Sequence, residues 1–179
     1  MITLVKGGAD CGKSAFAEQL AMESIYKKRY YIATMQVVDE ESLKRRERHR
    51  ELRRDKGFET LEIPSHIEEA PSLMEAPEKC CVLLECAANL VANIMHEDDN
   101  MVRHDDEGDD GCEAFVSRVT GLIGSLSKQV GDMIIVTSEY SFDQNMDKET
   151  HRYIELLNRV NNELISMADL TYDMGSMSS

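Results

Sequence analysis

Three things are scarce in this chain, and each scarcity removes a class of protein. No stretch approaches the roughly 18 consecutive apolar residues of a membrane-spanning helix. The five cysteines, Cys11, Cys80, Cys81, Cys86 and Cys112, contain no C-x-x-C pair, which argues against a zinc ribbon or a disulfide framework. Positive charge is short as well: 20 Lys and Arg stand against 34 Asp and Glu, for a net charge of -14. Such a surface repels phosphate polymers, so neither nucleic acid nor an anionic membrane is expected as a partner. The sequence enters the apolar run MITLVK directly, without a signal-peptide pattern, and a cytoplasmic location is expected.

Directly after MITLVK stands the most informative feature of the chain. Residues 7 to 14 read GGADCGKS, a full match to G-x-x-x-x-G-K-[ST], between a strand-like run and the helix-like SAFAEQLAMESIY. A strand that aims a Gly-rich loop into a helix N-terminus places backbone N–H groups and the helix dipole around a phosphate chain. Gly7, Gly8, Ala9, Asp10, Cys11 and Gly12 would form that cradle. Lys13 would reach the β- and γ-phosphates of ATP or GTP, and Ser14 would hold Mg²⁺. Cys11, set among helix N-terminal amides, is expected to react with alkylating or oxidising reagents when nucleotide is absent. The other reading of the motif is a Gly-rich turn that matches by chance.

Apolar strand-like runs then alternate with amphipathic helix-like ones. MITLVK precedes 13–26, RYYIAT precedes 39–56 and ETLEIP stands alone; CVLLEC precedes 87–96, DMIIVTSE precedes 147–168, and DLTYDM comes last. This rhythm predicts an α/β fold of the P-loop NTPase type, a mostly parallel central sheet with helices on both faces. At 179 residues a single nucleotide-binding domain over 1–179 is expected. The segment from Glu97 to Glu113 interrupts the pattern with nine acidic residues against one Arg. It reads as a solvated loop, remote from any triphosphate. Its oxygen-bearing residues lack the spacing of an EF-hand, so a Ca²⁺ loop is the weaker reading.

Residues 39 to 56, DEESLKRRERHRELRRDK, collect eight Lys or Arg around one histidine in an otherwise acidic chain. On a helix Arg45, His49 and Arg53 fall at i, i+4 and i+8, along one stripe. Guanidiniums flanking His49 would bind a triphosphate and favour a neutral imidazole with a lone pair free to attack phosphorus. A solvated basic helix with an incidental histidine satisfies the same pattern. At the end of an apolar strand, Glu85 occupies the place of a Mg²⁺-directed carboxylate, the reading that the phosphate loop favours over a carboxylate that faces solvent. Thr34 and Glu139, also at strand ends, are candidates to line a site in an open α/β sheet, or simple strand caps.

Taken in order, GGADCGKSAFAEQL, YIAT at 31–34, D-x-E leading to Arg45 and His49, T-x-E at 60–62, VLLEC at 82–86 and VTSE at 136–139 resemble one family. It is the bifunctional adenosylcobinamide kinase / adenosylcobinamide-phosphate guanylyltransferase family of cobalamin biosynthesis. The resemblance runs from Met1 to about Asp169. It implies two reactions. ATP or GTP phosphorylates the aminopropanol hydroxyl of adenosylcobinamide, a corrinoid. GMP from GTP then passes through a covalent histidine adduct to give adenosylcobinamide-GDP. His49 matches the guanylylated histidine, Glu62 lies within the matching T-x-E, and Thr34, Asp39 and Glu41 match family positions without assigned steps. The resemblance also implies a homo-oligomer.

The chain departs from the family pattern at three places. Asp10 and Cys11 stand where Arg and Ser are usual in the loop, which places an anion beside the phosphates. Ser138 replaces an Asn, and YSFDQNMDKET replaces a Gly-rich stretch. The tail DLTYDMGSMSS lacks the usual turn and basic end. Two alternatives therefore stay open: a divergent P-loop small-molecule kinase with one activity, which needs Lys13 and Ser14 but not His49, and a non-catalytic nucleotide-binding protein.

Overall fold

In the structure, a computed structural model, residues 1–37, 39–97 and 108–175 are described; the side chains of Arg45, His49, Leu52 and residues 108–110 lie outside that description. Six strands form one sheet: β1 Ile2–Lys6, β2 Lys28–Ala33, β3 Phe58–Glu62, β4 Cys80–Glu85, β5 Asp132–Val136 and β6 Leu170–Asp173. Their order is β3-β2-β4-β5-β1-β6, and every pair is parallel. The helices are α1 Lys13–Glu23, α2 Glu40–Arg53, α3 Ala87–Glu97, α4 Gly108–Ser127 and α5 Lys148–Met167, the last two of 20 residues each.

The strands read as apolar runs rather than alternating ones because both faces of the sheet are covered. Alternate residues feed two cores. Leu4, Tyr30, Ile32, Val82, Leu84, Met133 and Ile135 pack with α3, α4 and α5, through Leu90, Phe115, Ile123 and Leu157 among others. Val5, Tyr31, Cys81, Leu83, Ile134 and Val136 face Ala17 and Ala21 of α1. The expected fold class is thus present, and the sheet is parallel throughout.

The acidic segment needs correction at its end. Residues 98–107 lie outside the described residues, but from Gly108 the chain is helical, so the expected loop does not extend over 108–113. Cys112, Phe115, Val116, Val119, Ile123 and Leu126 are all buried, a spacing that lays one apolar stripe along α4. Burying several such side chains, each contributing about 1.5–3 kcal/mol, holds the helix to the sheet despite its acidic start. The sequence carried this signal, masked by the charge run before it. A short 3₁₀ segment at Ile67–Leu73, with Ile67 and Ala70 buried, likewise had no forecast.

Candidate active site

The phosphate loop joins β1 to α1, and its shape is a backbone property. Gly7 has φ 152° and Gly12 has φ 84°, values that L side chains rarely adopt. A Cβ on Gly7 would also stand 3.0 Å from Cys11 Sγ and 3.2 Å from Met174 Cβ, so the loop is wedged against the turn after β6. Asp10, at φ 54°, is exposed at the rim. Helix α1 has neither a side-chain cap nor an acidic residue in its first turn, in contrast to α2 and α5, capped by Asp39 and Asp147. Its leading N–H groups thus remain available to an anion.

Lys13 is buried and curls back over the loop: its ammonium donates to the Gly8 carbonyl and lies 3.8 Å from Cys11 Sγ. Ser14, one residue on, donates from Oγ to Glu85 Oε1 at the end of β4. The other oxygen, Glu85 Oε2, is buried without a hydrogen-bond partner. A hydroxyl and a carboxylate with one unsatisfied oxygen, set beneath a phosphate loop, are hard oxygen donors of the kind that fit Mg²⁺.

Thr34 faces backbone. It is fully buried, its hydroxyl donates to the Cys86 carbonyl at 2.9 Å, and it accepts from the Cys86 N–H at 2.7 Å. It ties β2 to the end of β4 and so fixes the carboxylate next door. Asn93 reinforces the same corner, its side-chain amide donating to the carbonyls of Thr34 at 2.7 Å and Pro64 at 2.8 Å. Glu139 is exposed and receives the Lys6 ammonium at 2.9 Å, while Asp173 takes it at 2.6 Å. Burial works against the charge on Lys6, but its hydrogen bonds to Asp173 and Glu139 outweigh that and hold its pKa above the usual lysine value.

Helix α2 carries the basic run. Asp39 caps it and forms a capping box with Ser42. Arg46 and Arg50 reach Glu62 at 2.8 and 3.4 Å, so Glu62 anchors the helix to the end of β3. Arg53 is 4% exposed and lies over the Tyr31 ring, 3.5 Å from its centroid, with Nε buried and unpartnered. With Arg50 and Arg54 it lines an open groove of about 600 Å³ whose lining also includes Phe58 and Thr60. His49 lies on α2 one turn before Arg53; its side chain and that of Arg45 are outside the described residues, and of the three only Arg53 is described.

Tyr31 is the residue that sequence reasoning missed. Burial foremost, and then the negative charge of the Glu85 carboxylate, push its phenol pKa up, with Arg53 pulling the other way. It therefore stands between Glu85 and α2. The register of β2 against β4, with Tyr31 opposite Leu83 and Ala33 opposite Glu85, puts it on the same face as Glu85; the alternation along β2 was legible in the sequence, the pairing was not.

A model of the family described as cobinamide kinase / cobinamide phosphate guanyltransferase matches residues 3–176. The chain belongs to that family. It is 31% identical over 172 residues to the bifunctional adenosylcobalamin biosynthesis protein CobU of Escherichia coli, covering 94% of this chain and 92% of that protein. The corresponding CobP of Pseudomonas aeruginosa is 35% identical over 141 residues, 79% of each chain. Among solved structures, an ATPase domain superposes with a TM-score of 0.52 at 12% identity, covering 96% of this chain and 68% of that one. That likeness concerns the fold alone, a P-loop ATPase sheet. The family match spans the phosphate loop, Glu85 and the basic helix together.

Proposed function

We propose that this chain, a transferase of the family, carries out two successive transfers to a corrinoid. In the first, the hydroxyl oxygen of adenosylcobinamide bonds to the γ-phosphorus of ATP or GTP, the bond to the β,γ-bridging oxygen breaks, and the hydroxyl proton leaves. In the second, a ring nitrogen of His49 bonds to the α-phosphorus of GTP and pyrophosphate departs. An oxygen of adenosylcobinamide phosphate then attacks that phosphorus, which frees His49 and yields adenosylcobinamide-GDP. The phosphoramidate divides one difficult nucleotidyl transfer into two displacements.

The observation that carries this reading is the meeting of Ser14 and Glu85 beneath a phosphate loop closed by Lys13, in a chain matched by the family from residue 3 to residue 176. Mg²⁺ held by Ser14 and Glu85 would neutralise charge on the phosphates. Gly7 to Gly12 supply the cradle, and Lys13 is released from the Gly8 carbonyl to the β- and γ-phosphates. Arg45 and Arg53 bring positive charge to the nucleotide on the histidine helix. The same reading places the enzyme in the cytoplasm as a homo-oligomer; among the described residues no helix is long and apolar enough to cross a membrane.

The test is intact-protein mass after incubation with GTP and Mg²⁺, which needs no corrinoid. Wild type is expected to gain one acid-labile GMP, and His49→Ala none. Lys13→Ala is expected to lose phosphorylation of adenosylcobinamide. Absence of the adduct from wild type that binds GTP would overturn guanylyl transfer, and equal phosphorylation by wild type and Lys13→Ala would overturn the kinase assignment.

A further inference from the structure

Of the ten Phe and Tyr residues, Tyr140 and Phe142 are the two that are exposed, at 43% and 50%. Both lie on the segment between β5 and α5, and that segment is rooted in the phosphate loop. The Glu139 N–H donates to the Gly7 carbonyl at 3.1 Å, and its carboxylate takes Lys6 from the end of β1. Behind it, the Thr137 hydroxyl donates to Asn161 Oδ1 at 2.7 Å, and Asn161 Nδ2 donates to the Ser138 carbonyl at 3.0 Å. Tyr140 therefore begins one residue beyond a point bonded to the loop that cradles the donor phosphates.

The rings are held out rather than folded into the core. Tyr140 stands 6.2 Å from the Tyr153 ring, and Phe142 stands 4.7 Å from the His151 ring, both props belonging to α5. Tyr140 and Phe142 stand two positions apart on one segment, each beside a ring of α5, and offer exposed aromatic area next to the loop. A phosphoryl acceptor has to approach the γ-phosphate from outside the loop, beyond the carboxyl ends of the strands, which is where this surface lies. A corrinoid is a broad, methylated macrocycle with amides around its rim. Its apolar face suits the two rings, and its amides suit the exposed polar side chains of Gln144 and Asn145 beside them.

We infer that Tyr140 and Phe142, braced by Tyr153 and His151, form the seat of the corrinoid acceptor beside the phosphate loop. The inference rests on the corrinoid reading under Proposed function, and its test separates the two. Equilibrium dialysis with cobinamide, followed by its visible absorbance, compares wild type with Tyr140→Ala/Phe142→Ala; the mass of the GMP adduct is measured in parallel. The double variant is expected to bind cobinamide more weakly by on the order of tenfold or more, from lost ring burial. Its adduct formation with GTP stays at the wild-type level, which also reports that it is folded, and Tyr140→Phe/Phe142→Leu recovers most of the affinity. Equal cobinamide affinity in wild type and double variant, with adduct present in both, overturns this seat and leaves the proposed function standing. A drop in assembly mass by light scattering with unchanged cobinamide affinity makes the patch a contact between copies and overturns it likewise. Absence of both adduct and cobinamide binding from wild type overturns the proposed function itself, and this seat with it.

Discussion

The phosphate loop and helix α2 are held in opposite ways. The loop is set by backbone: two glycines in conformations that exclude side chains, a β1 strand paired on both edges, and an α1 helix packed on a buried sheet face through Ala17 and Ala21. Helix α2 has little apolar purchase; among its described side chains only Arg53 is buried. It is moored by polar contacts instead: Arg46 and Arg50 on Glu62, Arg53 on the Tyr31 ring, and Lys56, just beyond the helix, on Glu18 of α1. Exposed ion pairs contribute from a few tenths to about 1 kcal/mol each, whereas a desolvated cation over an aromatic ring reaches about 2 kcal/mol. In the proposed function the donor phosphates would meet a rigid frame, while His49 would ride on a helix that charge holds in place. Salt should loosen the second and leave the first unaltered.

The contrast is sharpest at Glu85. Glu85→Gln keeps the hydrogen bond to Ser14 but removes the charge that suits a divalent cation, so phosphorylation of adenosylcobinamide is expected to fall about 100-fold or more, with a raised Mg²⁺ requirement. Titration of the rate with Mg²⁺ checks this. If adduct formation at His49 falls by the same factor, the two chemistries share one metal-bound nucleotide and the distinction between frame and helix disappears.

Arg53 probes the mooring. Arg53→Ala removes both the stacked guanidinium and its charge, and GMP adduct formation is expected to slow on the order of tenfold while phosphorylation changes little. Arg53→Lys should recover part of the charge but not the stacking. Single-turnover kinetics of adduct formation give the readout; an equal loss in both reactions would mean that α2 and the loop behave as one body.

The smallest effect is expected at Glu62. Glu62→Gln breaks the ion pairs to Arg46 and Arg50, both in contact with solvent, and should lower stability by no more than about 1 kcal/mol. Thermal unfolding of variant and wild type should differ at low salt and converge at high salt. A difference that persists at high salt would show that Glu62 does more than moor the helix.

Much of the fold was legible because a parallel sheet covered on both faces leaves short, continuous apolar runs. Every strand that these runs predicted is present, with ends shifted by up to three residues. Helix α4 was not forecast, although Cys112, Phe115, Val116, Val119, Ile123 and Leu126 spell its stripe, because the acidic residues ahead of it suggested a loop. At the site, Lys13, Ser14 and Glu85 were readable from a motif and a strand end. Thr34 was readable as a position but not as a role: a hydroxyl at a strand end looks the same in sequence whether it faces a ligand or, as here, the backbone of Cys86.

By itself, then, the sequence determined the local devices. Glycines at 7 and 12 permit the loop, Lys13 and Ser14 follow it at the spacing phosphates require, and alternation along the strands assigns each residue a face, because these depend on neighbours along the chain. Only the tertiary structure decided which distant residues meet. Ser14 finds Glu85 across 71 positions, Arg53 finds Tyr31, and Lys6 finds both Glu139 and Asp173. The first and last of those meetings follow from strand order, β4 and β5 beside one another and β1 between β5 and β6, and strand order is set by long-range packing that no local window contains.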